Sequence, residues 1–433
     1  MPEIYPFRGI HYSPEKVGDI SDVITQPYDV ISPTEQDAFY QKHQHNIVRL
    51  DFGKEKETDN DETNRYTRAA DYFKAWLAEG ILTRDDKPAI YVYDQVYELD
   101  GRENLRRAFV SLVRLAEYKE GKVLPHEITH AGPKVDRLNL IKATETHFSQ
   151  IFSLYEDEGN QIGMQLESGR ENQPLFEFLD PSGVRSSLWQ ITDFQTIAVI
   201  QQLLSSRPLY IADGHHRYET SLNYQRFVNV SGINQPGADF TPMACVSMSD
   251  PGLQILPTHR AVKYPGGMNS EKLYSRLKRN FTIQPTDSAE MVLNAMEQAA
   301  DRTLGMFDST RGFGLIVLSG ESESKLKSIP ELSSESGDLD VSILHWHIFK
   351  DCLEIPEENL FDKGRILYQH SPQECVEKVQ NGEYDAAFFV SAPSLEDMRK
   401  IVSKSEKMPP KSTFFYPKIA SGFVLYNLKD EPG

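Results

Sequence analysis

Leu209-Tyr210-Ile211-Ala212-Asp213-Gly214-His215-His216-Arg217-Tyr218-Glu219-Thr220-Ser221-Leu222 is the stretch on which the reading of this chain turns. Leu209 to Ala212 is a short apolar run suited to a buried strand, and Asp213-Gly214 breaks it. Apolar side chains then recur at Tyr218, Leu222 and Phe227, the spacing of an amphipathic helix. The turn therefore joins the C-terminal end of a strand to the start of a helix. The first N–H groups of a helix have no acceptor within it, and the helix dipole favours negative charge there. Such a turn reads as an anion site, with phosphate the expected anion. Gly214 lets a ligand approach the backbone, His215 and His216 add donors, and Arg217 can grip phosphate oxygens as a fork. Asp213 is a candidate helix cap, a holder of a histidine tautomer, or a magnesium ligand. The plainer alternative is a capped helix whose histidines pack or face solvent. Neither GxxxxGK(S/T) nor GxGxxG is present in this turn.

Outward from this element, a chain of 433 residues exceeds one ordinary hydrophobic core, so two domains are expected. Lys plus Arg number 46 against 64 Asp plus Glu, a formal net charge of -18. That balance argues against nucleic acid or anionic membrane as partners, and it leaves room for a small basic pocket. No apolar run approaches the roughly 18 residues that span a bilayer. The N-terminus lacks a basic start followed by an apolar stretch. Cys245, Cys352 and Cys375 form no CxxC pair and no zinc-ribbon spacing, as expected in a reducing cytoplasm. Their simplest use is as small buried hydrophobes.

Periodicity predicts a helix over Tyr66 to Glu79, a strand over Ala89 to Leu99, a hairpin turn at Asp100-Gly101 and a strand over Arg107 to Leu115. A helix over Asp136 to His147, a strand over Ile151 to Tyr155 and a helix over Phe194 to Ser205, capped by Asp193 or Thr192, are expected next. Tyr264-Pro265-Gly266-Gly267 suggests a boundary between a domain of residues 1–265 and one of residues 266–433. Beyond it the pattern reads helix, helix, then a strand over Gly314 to Leu318, and the Ser/Glu-rich Ser319 to Gly337 reads as a mobile loop. A helix over Val341 to Cys352 and an alternating strand over Gly422 to Leu428 follow. Strands and helices interleave in both parts, so both are expected to be mixed α/β (α+β) domains.

Leu124 to Leu138, LPHEITHAGPKVDRL, concentrates His126, Glu127, His130, Lys134, Asp136 and Arg137. His126 to His130 spells HExxH, a zinc-protease pattern that works when a helix puts both histidines on one face. Pro125 precedes it, Ile128 and Thr129 are β-branched, and Gly132-Pro133 is expected to end any helix within a turn, so a zinc hydrolase is set aside. A functional loop is the preferred reading. Glu127 is then a candidate general base for a substrate hydroxyl, and His126 a candidate substrate contact. Lys134 and Arg137 are candidate partners for phosphate or carboxylate. A solvated polar connection is the alternative. Gln26-Pro27-Tyr28-Asp29 sets an aromatic and a carboxylate on a rigid turn. Tyr28 can stack on a base or line a pocket, Asp29 can bind an amino group, and a purely structural turn is equally open. His259-Arg260, at a strand end, is a weaker candidate of the same kind, and His345 and His347 read as structural.

Five stretches, YPFRGIHYSPEKVGDISDVITQPYDVIS, NIVRLDFGK, LPHEITHAGPKVDRLNL, LYIADGHHRYETSL and LPTHRAV, together with the ending MPPKSTFFYPKIASGF, resemble the bacterial family called domain of unknown function 1015. The resemblance runs over nearly the whole chain, and DGHHRYET is its most specific part. That family in turn resembles the ParB/sulfiredoxin-like superfamily, in which a glycine-to-arginine turn at a helix start cradles nucleotide phosphates. One branch of it, the free serine kinases, phosphorylates the hydroxyl of L-serine with ADP or ATP. The resemblance implies a ParB/sulfiredoxin-like N-terminal core, ATP or ADP as phosphoryl donor, and Mg2+ as a bridge held by Asp213. It places Gly214, His216 and Arg217 on the phosphates, with His215 beside them. The kinases' upstream catalytic glutamate has no alignable counterpart, so Glu127, Asp213 and His216 stand as the catalytic candidates.

These readings converge on nucleotide-dependent phosphoryl transfer to or from a small hydroxylated metabolite, with serine favoured by the resemblance. The same cradle would also serve hydrolysis of phosphoserine. A nucleotide-binding regulatory module without turnover is the alternative class. The C-terminal part is expected to complete the substrate pocket, to form a homodimer contact, or to cap the first domain.

Overall fold

The computed structural model describes residues 1–129, 131–299, 302–320, 334–356, 359–360, 362 and 364–433. They gather into two compact units. The first comprises Met1–Pro125, Thr129–Gln254 and Pro417–Gly433, and the second comprises His126–Ile128 and Ile255–Tyr416.

The first unit is built on a nine-stranded mixed sheet. Its strands are β1 (Ile4–Tyr5), β2 (Ile90–Leu99), β3 (Arg102–Arg114), β4 (Val123–Leu124), β5 (Ile151–Tyr155), β6 (Phe176–Leu179), β7 (Arg185–Ile191), β8 (Leu209–Asp213) and β9 (Phe240–Ser247). The order is β4-β8-β5-β9-β3-β2-β7-β6, with β1 also on β3. β8 runs parallel to β4 and β9 parallel to β5, while the other pairs are antiparallel. Asp100-Gly101, both at positive φ, forms the β2–β3 hairpin turn that its sequence predicts.

Side chains alternate across this sheet. Ile90, Val92, Phe109, Val113, Ile151, Tyr155, Leu209, Ile211 and Met243 share one apolar core. Three helices complete it: α2 (Gln161–Gly169) through Ile162 and Leu166, α3 (Phe194–Leu204) through Ile197 and Ile200, and α4 (His215–Ser231) through Tyr218 and Leu222. The opposite face carries Tyr93, Gln95, Arg106 and Phe152. It is covered by the last segment of the chain, since Gln95 Nε2 donates to the Lys418 carbonyl at 3.0 Å and the Tyr93 ring stacks on Phe423 at 4.3 Å. Gln150 Nε2 likewise donates to the Val424 carbonyl. The remaining long helix near the turn, α1 (Ala131–Thr144), packs along α4.

The second unit holds a six-stranded antiparallel sheet, with β10 (His259–Val262), β11 (Phe281–Thr286), β12 (Thr303–Asp308), β13 (Gly312–Leu318), β14 (Ile366–Gln369) and β15 (Ala386–Phe389) in the order β11-β13-β12-β15-β10-β14. Ala261, Val292, Phe307, Val376 and Phe389 meet in its core.

Several local expectations differ from the structure. The units divide near residue 254 rather than 265, because β10 pairs with β14 and β15 of the second sheet. Residues 417–433 return to the first unit, because Phe423, Val424, Leu425 and Tyr426 are fully buried there. The alternation over residues 422–428 thus reflects burial in a covering segment, of which Tyr426–Asn427 alone forms a strand, on Thr146–His147. Gly132-Pro133 lies in the first turn of α1 instead of ending a helix. Proline is tolerated there because the first-turn N–H groups have no partner within the helix. β11 falls where successive helices were expected, and Pro285 fits because this strand is at the sheet edge. Residues 321–333 of the expected Ser319–Gly337 loop lie outside the described residues, and Ser334–Gly337 forms a helical turn. Cys245, Cys352 and Cys375 are free and buried. Among the described residues no helix is long and apolar enough to cross a membrane.

A chain ending at Tyr416 would leave one face of the first sheet uncovered. Loss of four fully buried side chains, Phe423 to Tyr426, is expected to lower the stability of the first unit by several kcal/mol, on the order of 5. Urea unfolding followed by tryptophan fluorescence checks this.

Candidate functional site: the strand–helix turn of the first unit

Pairing of β8 with β5 matches Tyr210 to Leu154 and Ile211 to Ser153, then shifts so that Asp213 faces Phe152. This irregularity brings the Asp213 side chain onto the face that carries Phe152. Gly214 follows at φ 89°, the left-handed region, and α4 begins at His215. Tyr218 anchors that helix, since its hydroxyl donates to the Ala116 carbonyl at 2.7 Å and accepts from the Ala116 N–H at 3.1 Å.

Arg217 folds back over the turn. A Cβ on Gly214 would lie 3.0 Å from Arg217 Nε and 3.0 Å from its Nη2. Nη2 donates to Asp213 Oδ2 at 3.0 Å, and Nη1 donates to the Gln150 carbonyl at 2.5 Å. The other Asp213 oxygen, Oδ1, accepts from Lys418 Nζ at 2.9 Å. Two cations and one carboxylate therefore meet at the positive end of α4. Their surplus of one positive charge adds to the helix dipole in attracting an anion. His147, buried next to this group, is pushed down to about 4 by desolvation, with the Arg217 charge adding to the effect. It is neutral at pH 7 and contributes no competing charge.

The structure brings Tyr28 and Arg137 into the same neighbourhood. The Arg137 guanidinium lies 3.9 Å from the Tyr28 ring centroid, and burial raises the Tyr28 hydroxyl pKa against the opposing charges of Arg137 and Arg217. Arg137 is itself buried, with Nε and Nη2 on Asp136 and Nη1 on both the carboxylate and carbonyl of Asp51. Those bonds are the chemistry of a structural ion-pair network, with its donors directed at protein. Lys134 Nζ is held at 2.8 Å by Glu219 Oε2, which also accepts from Thr129 Oγ1 at 2.7 Å. Asp29 is exposed, His215 is buried and His216 is half-buried, its carbonyl accepting from Thr220 Oγ1 at 2.7 Å.

His126 and Glu127 belong to the second unit. His126 is fully buried, its Nε2 within 2.8 Å of Thr413 Oγ1, and Glu127 forms a β-bridge with Met408. Buried Arg260, which feels the Glu127 charge, donates to the carbonyls of Thr258 and Lys411. Three separated sequence segments thus assemble there. His130 lies outside the described residues, and no helix covers His126 to Thr129, so the HExxH spelling has no metal-binding helix beneath it.

Sequence reasoning missed Lys418, Gln150, His147 and Glu219. Lys418 and Glu219 lay inside stretches already singled out. Their partners could not be read locally, because Lys418 is 205 positions from Asp213 and Glu219 is 85 from Lys134. The donor set does not fit a metal ion held by protein alone. Both Asp213 oxygens are taken by cations, and among the described residues no group of three or more His, Cys, Asp or Glu is arranged to hold one.

The family model described as Protein of unknown function (DUF1015) matches residues 4–342, and the chain belongs to that family. No curated protein matches. Among solved structures it is similar to a conserved hypothetical protein from Pyrococcus furiosus, with 14% identity over 71% of this chain and 93% of that one and a TM-score of 0.36. A free serine kinase in complex with AMP gives 14% identity over 68% of this chain and 83% of that one, TM-score 0.36. SbnI with C-terminal truncation from Staphylococcus aureus gives 11% identity over 72% and 85%, TM-score 0.36.

Two outcomes test the turn. Gly214→Ala forces a side chain into a left-handed residue and against the Arg217 guanidinium, so it should cost about 1–3 kcal/mol of stability and weaken phosphate binding, read by thermal unfolding and calorimetry. The second concerns acid. His147 is held at about 4 and His259 at about 3, against an ordinary 6.5. The stability they contribute is fully present above pH 6.5 and is lost as pH falls toward those values. His147→Gln should reduce the slope of unfolding free energy between pH 6 and 4.5 by about 1.4 kcal/mol per pH unit, measured by denaturant titration at each pH.

Proposed function

We propose that this protein is a nucleotide-dependent phosphotransferase acting on the hydroxyl of a small metabolite, with free L-serine the favoured acceptor. The observation that carries the reading is the Arg217 guanidinium folded over the Gly214 turn at the start of α4, held by Asp213 and the Gln150 carbonyl and flanked by Lys418. A helix start with a glycine and a fork-shaped cation on one side is a phosphate cradle in chemical terms. The resemblance of Gly214, His216 and Arg217 to the phosphate turn of ParB/sulfiredoxin-like proteins supports a nucleotide, ADP or ATP, as its occupant.

In this reading the helix start and Arg217 bind the phosphates and stabilise charge that develops on the transferred group. Asp213 aims both cations. Tyr28 borders the site with its ring against Arg137, and His216 lies at its edge. Lys134 and Arg137 shape the site through their ion pairs instead of meeting the phosphates directly.

Incubation with ADP or ATP, Mg2+ and a panel of hydroxy amino acids, read by mass spectrometry, is the test. Phosphoserine is the expected product. Arg217→Ala should lower its rate about 100-fold or more. Nucleotide binding without product across the panel would replace this reading with a regulatory module, and release of phosphate from phosphoserine would replace it with a hydrolase.

A further inference from the structure

Arg106 and Arg107 are neighbours on β3, and their environments are opposite. Arg107 is matched completely, since Nε and Nη2 each lie 2.7 Å from an Asp94 oxygen and Nη1 binds Glu167. Arg106, on the other face, is 1% exposed and, among the described residues, has no carboxylate bound. Nη2 donates to Gln95 Oε1, while Nε and Nη1 have no hydrogen-bond partner among the described residues. The nearby Asp250 accepts instead from the N–H groups of Arg107 and Gly252. Burial lowers the Arg106 pKa to about 10, so it remains cationic at neutral pH. A buried guanidinium with unsatisfied donors is costly unless something fills it.

Its position says what could. The guanidinium carbon lies 4.7 Å from the ring centroid of Phe152, and Phe152 is the residue that faces Asp213 across the β5–β8 pair. The short side chains of Ala108 and Ala244 lie on the same face. Gln95 ties it to Lys418, because Gln95 Nε2 donates to the Lys418 carbonyl while Lys418 Nζ binds Asp213. Two residues before Phe152, Gln150 is fully buried with its Oε1 unpartnered among the described residues, and its carbonyl holds Arg217. Unfilled donors and an unfilled acceptor therefore lie on one sheet face, next to the phosphate turn.

We infer that Arg106 is the carboxylate-binding residue of this site, so that the substrate is a small hydroxylated acid whose carboxylate rests on Arg106 and whose polar α-substituent meets Gln150 Oε1. This inference rests on the turn being the reaction site proposed above, and it selects acids over uncharged alcohols and sugars as the substrate class.

The experiment measures binding, so it does not depend on turnover. Calorimetry on the full chain, with and without saturating ADP, uses L-serine, D-glycerate and glycolate against L-serinamide and ethylene glycol. The acids are expected to bind, and the uncharged analogues to bind about ten-fold weaker or worse. Arg106→Met, close in volume and apolar, should abolish the preference for acids while leaving ADP affinity unchanged. Arg106→Lys, which keeps the charge, should retain part of it, and serves if the methionine variant fails to fold. No binding of any acid up to tens of millimolar, equal binding of acid and amide, or an intact preference in a folded Arg106→Met variant overturns the inference. Acid-selective binding with no phosphorylated product would keep the carboxylate site and remove the kinase reading.

Discussion

One carboxylate between two cations organises the first unit. Asp213 ends β8, takes Arg217 from one turn into α4, and takes Lys418 from the far end of the chain. Each link constrains something else. The Arg217 link closes the left-handed Gly214 turn, and the Lys418 link fixes the covering segment, through Gln95, over the sheet face that holds Arg106. An exposed ion pair contributes little to stability. Here the side chains of Arg217, Lys418 and Asp213 are only 10%, 15% and 20% exposed, so each charge has been partly desolvated and depends on the others to remain satisfied. Removing Asp213 would strand both cations, whereas removing either cation would leave one matched pair.

Charges in this unit differ in how fully carboxylates match them. Arg107 and Arg137 have carboxylates on their donors and belong to the frame. Arg217 shares its donors between a carboxylate and a carbonyl beside the open backbone of a glycine turn, which leaves the region positive. Arg106 has a single neutral amide. Side chains of one chemical type thus sort by partner, and partner is a property of the fold rather than of the residue.

Sequence reasoning recovered what local pattern controls. The apolar run of β8, the glycine break and the helix spacing through Tyr218 and Leu222 sufficed to place the turn, and Asp100-Gly101 sufficed for its hairpin. Phe227, read as part of the same apolar stripe, is instead 37% exposed, because the buried stripe continues through Ser221, Tyr224 and Val228. Partners far away in the chain were not legible. Nothing near Asp213 announces Lys418, and nothing in LPHEITH shows that His126 would bury itself against Thr413. The Glu127 stretch read as one loop with Lys134 and Arg137, yet the structure assigns residues 126–128 to a different unit from Lys134. Proximity in sequence was a poor guide there because residues 126–128 pair with strand-like chain near Met408, a contact made 281 positions downstream.

The return of residues 417–433 to the first unit gives the chain a temporal structure as well as a spatial one. Residues 255–416 are an insertion, and a ribosome must finish them before the last piece of the first unit exists. At about 5–20 residues per second, that delay is on the order of ten to thirty seconds. Throughout it the nascent first unit presents an uncovered face with Tyr93 and Phe152 unshielded, and Asp213 lacks Lys418. Completion of the Asp213 ion group therefore waits for the end of synthesis. A stalled or prematurely ended chain would expose apolar surface and leave Asp213 with one cation instead of two.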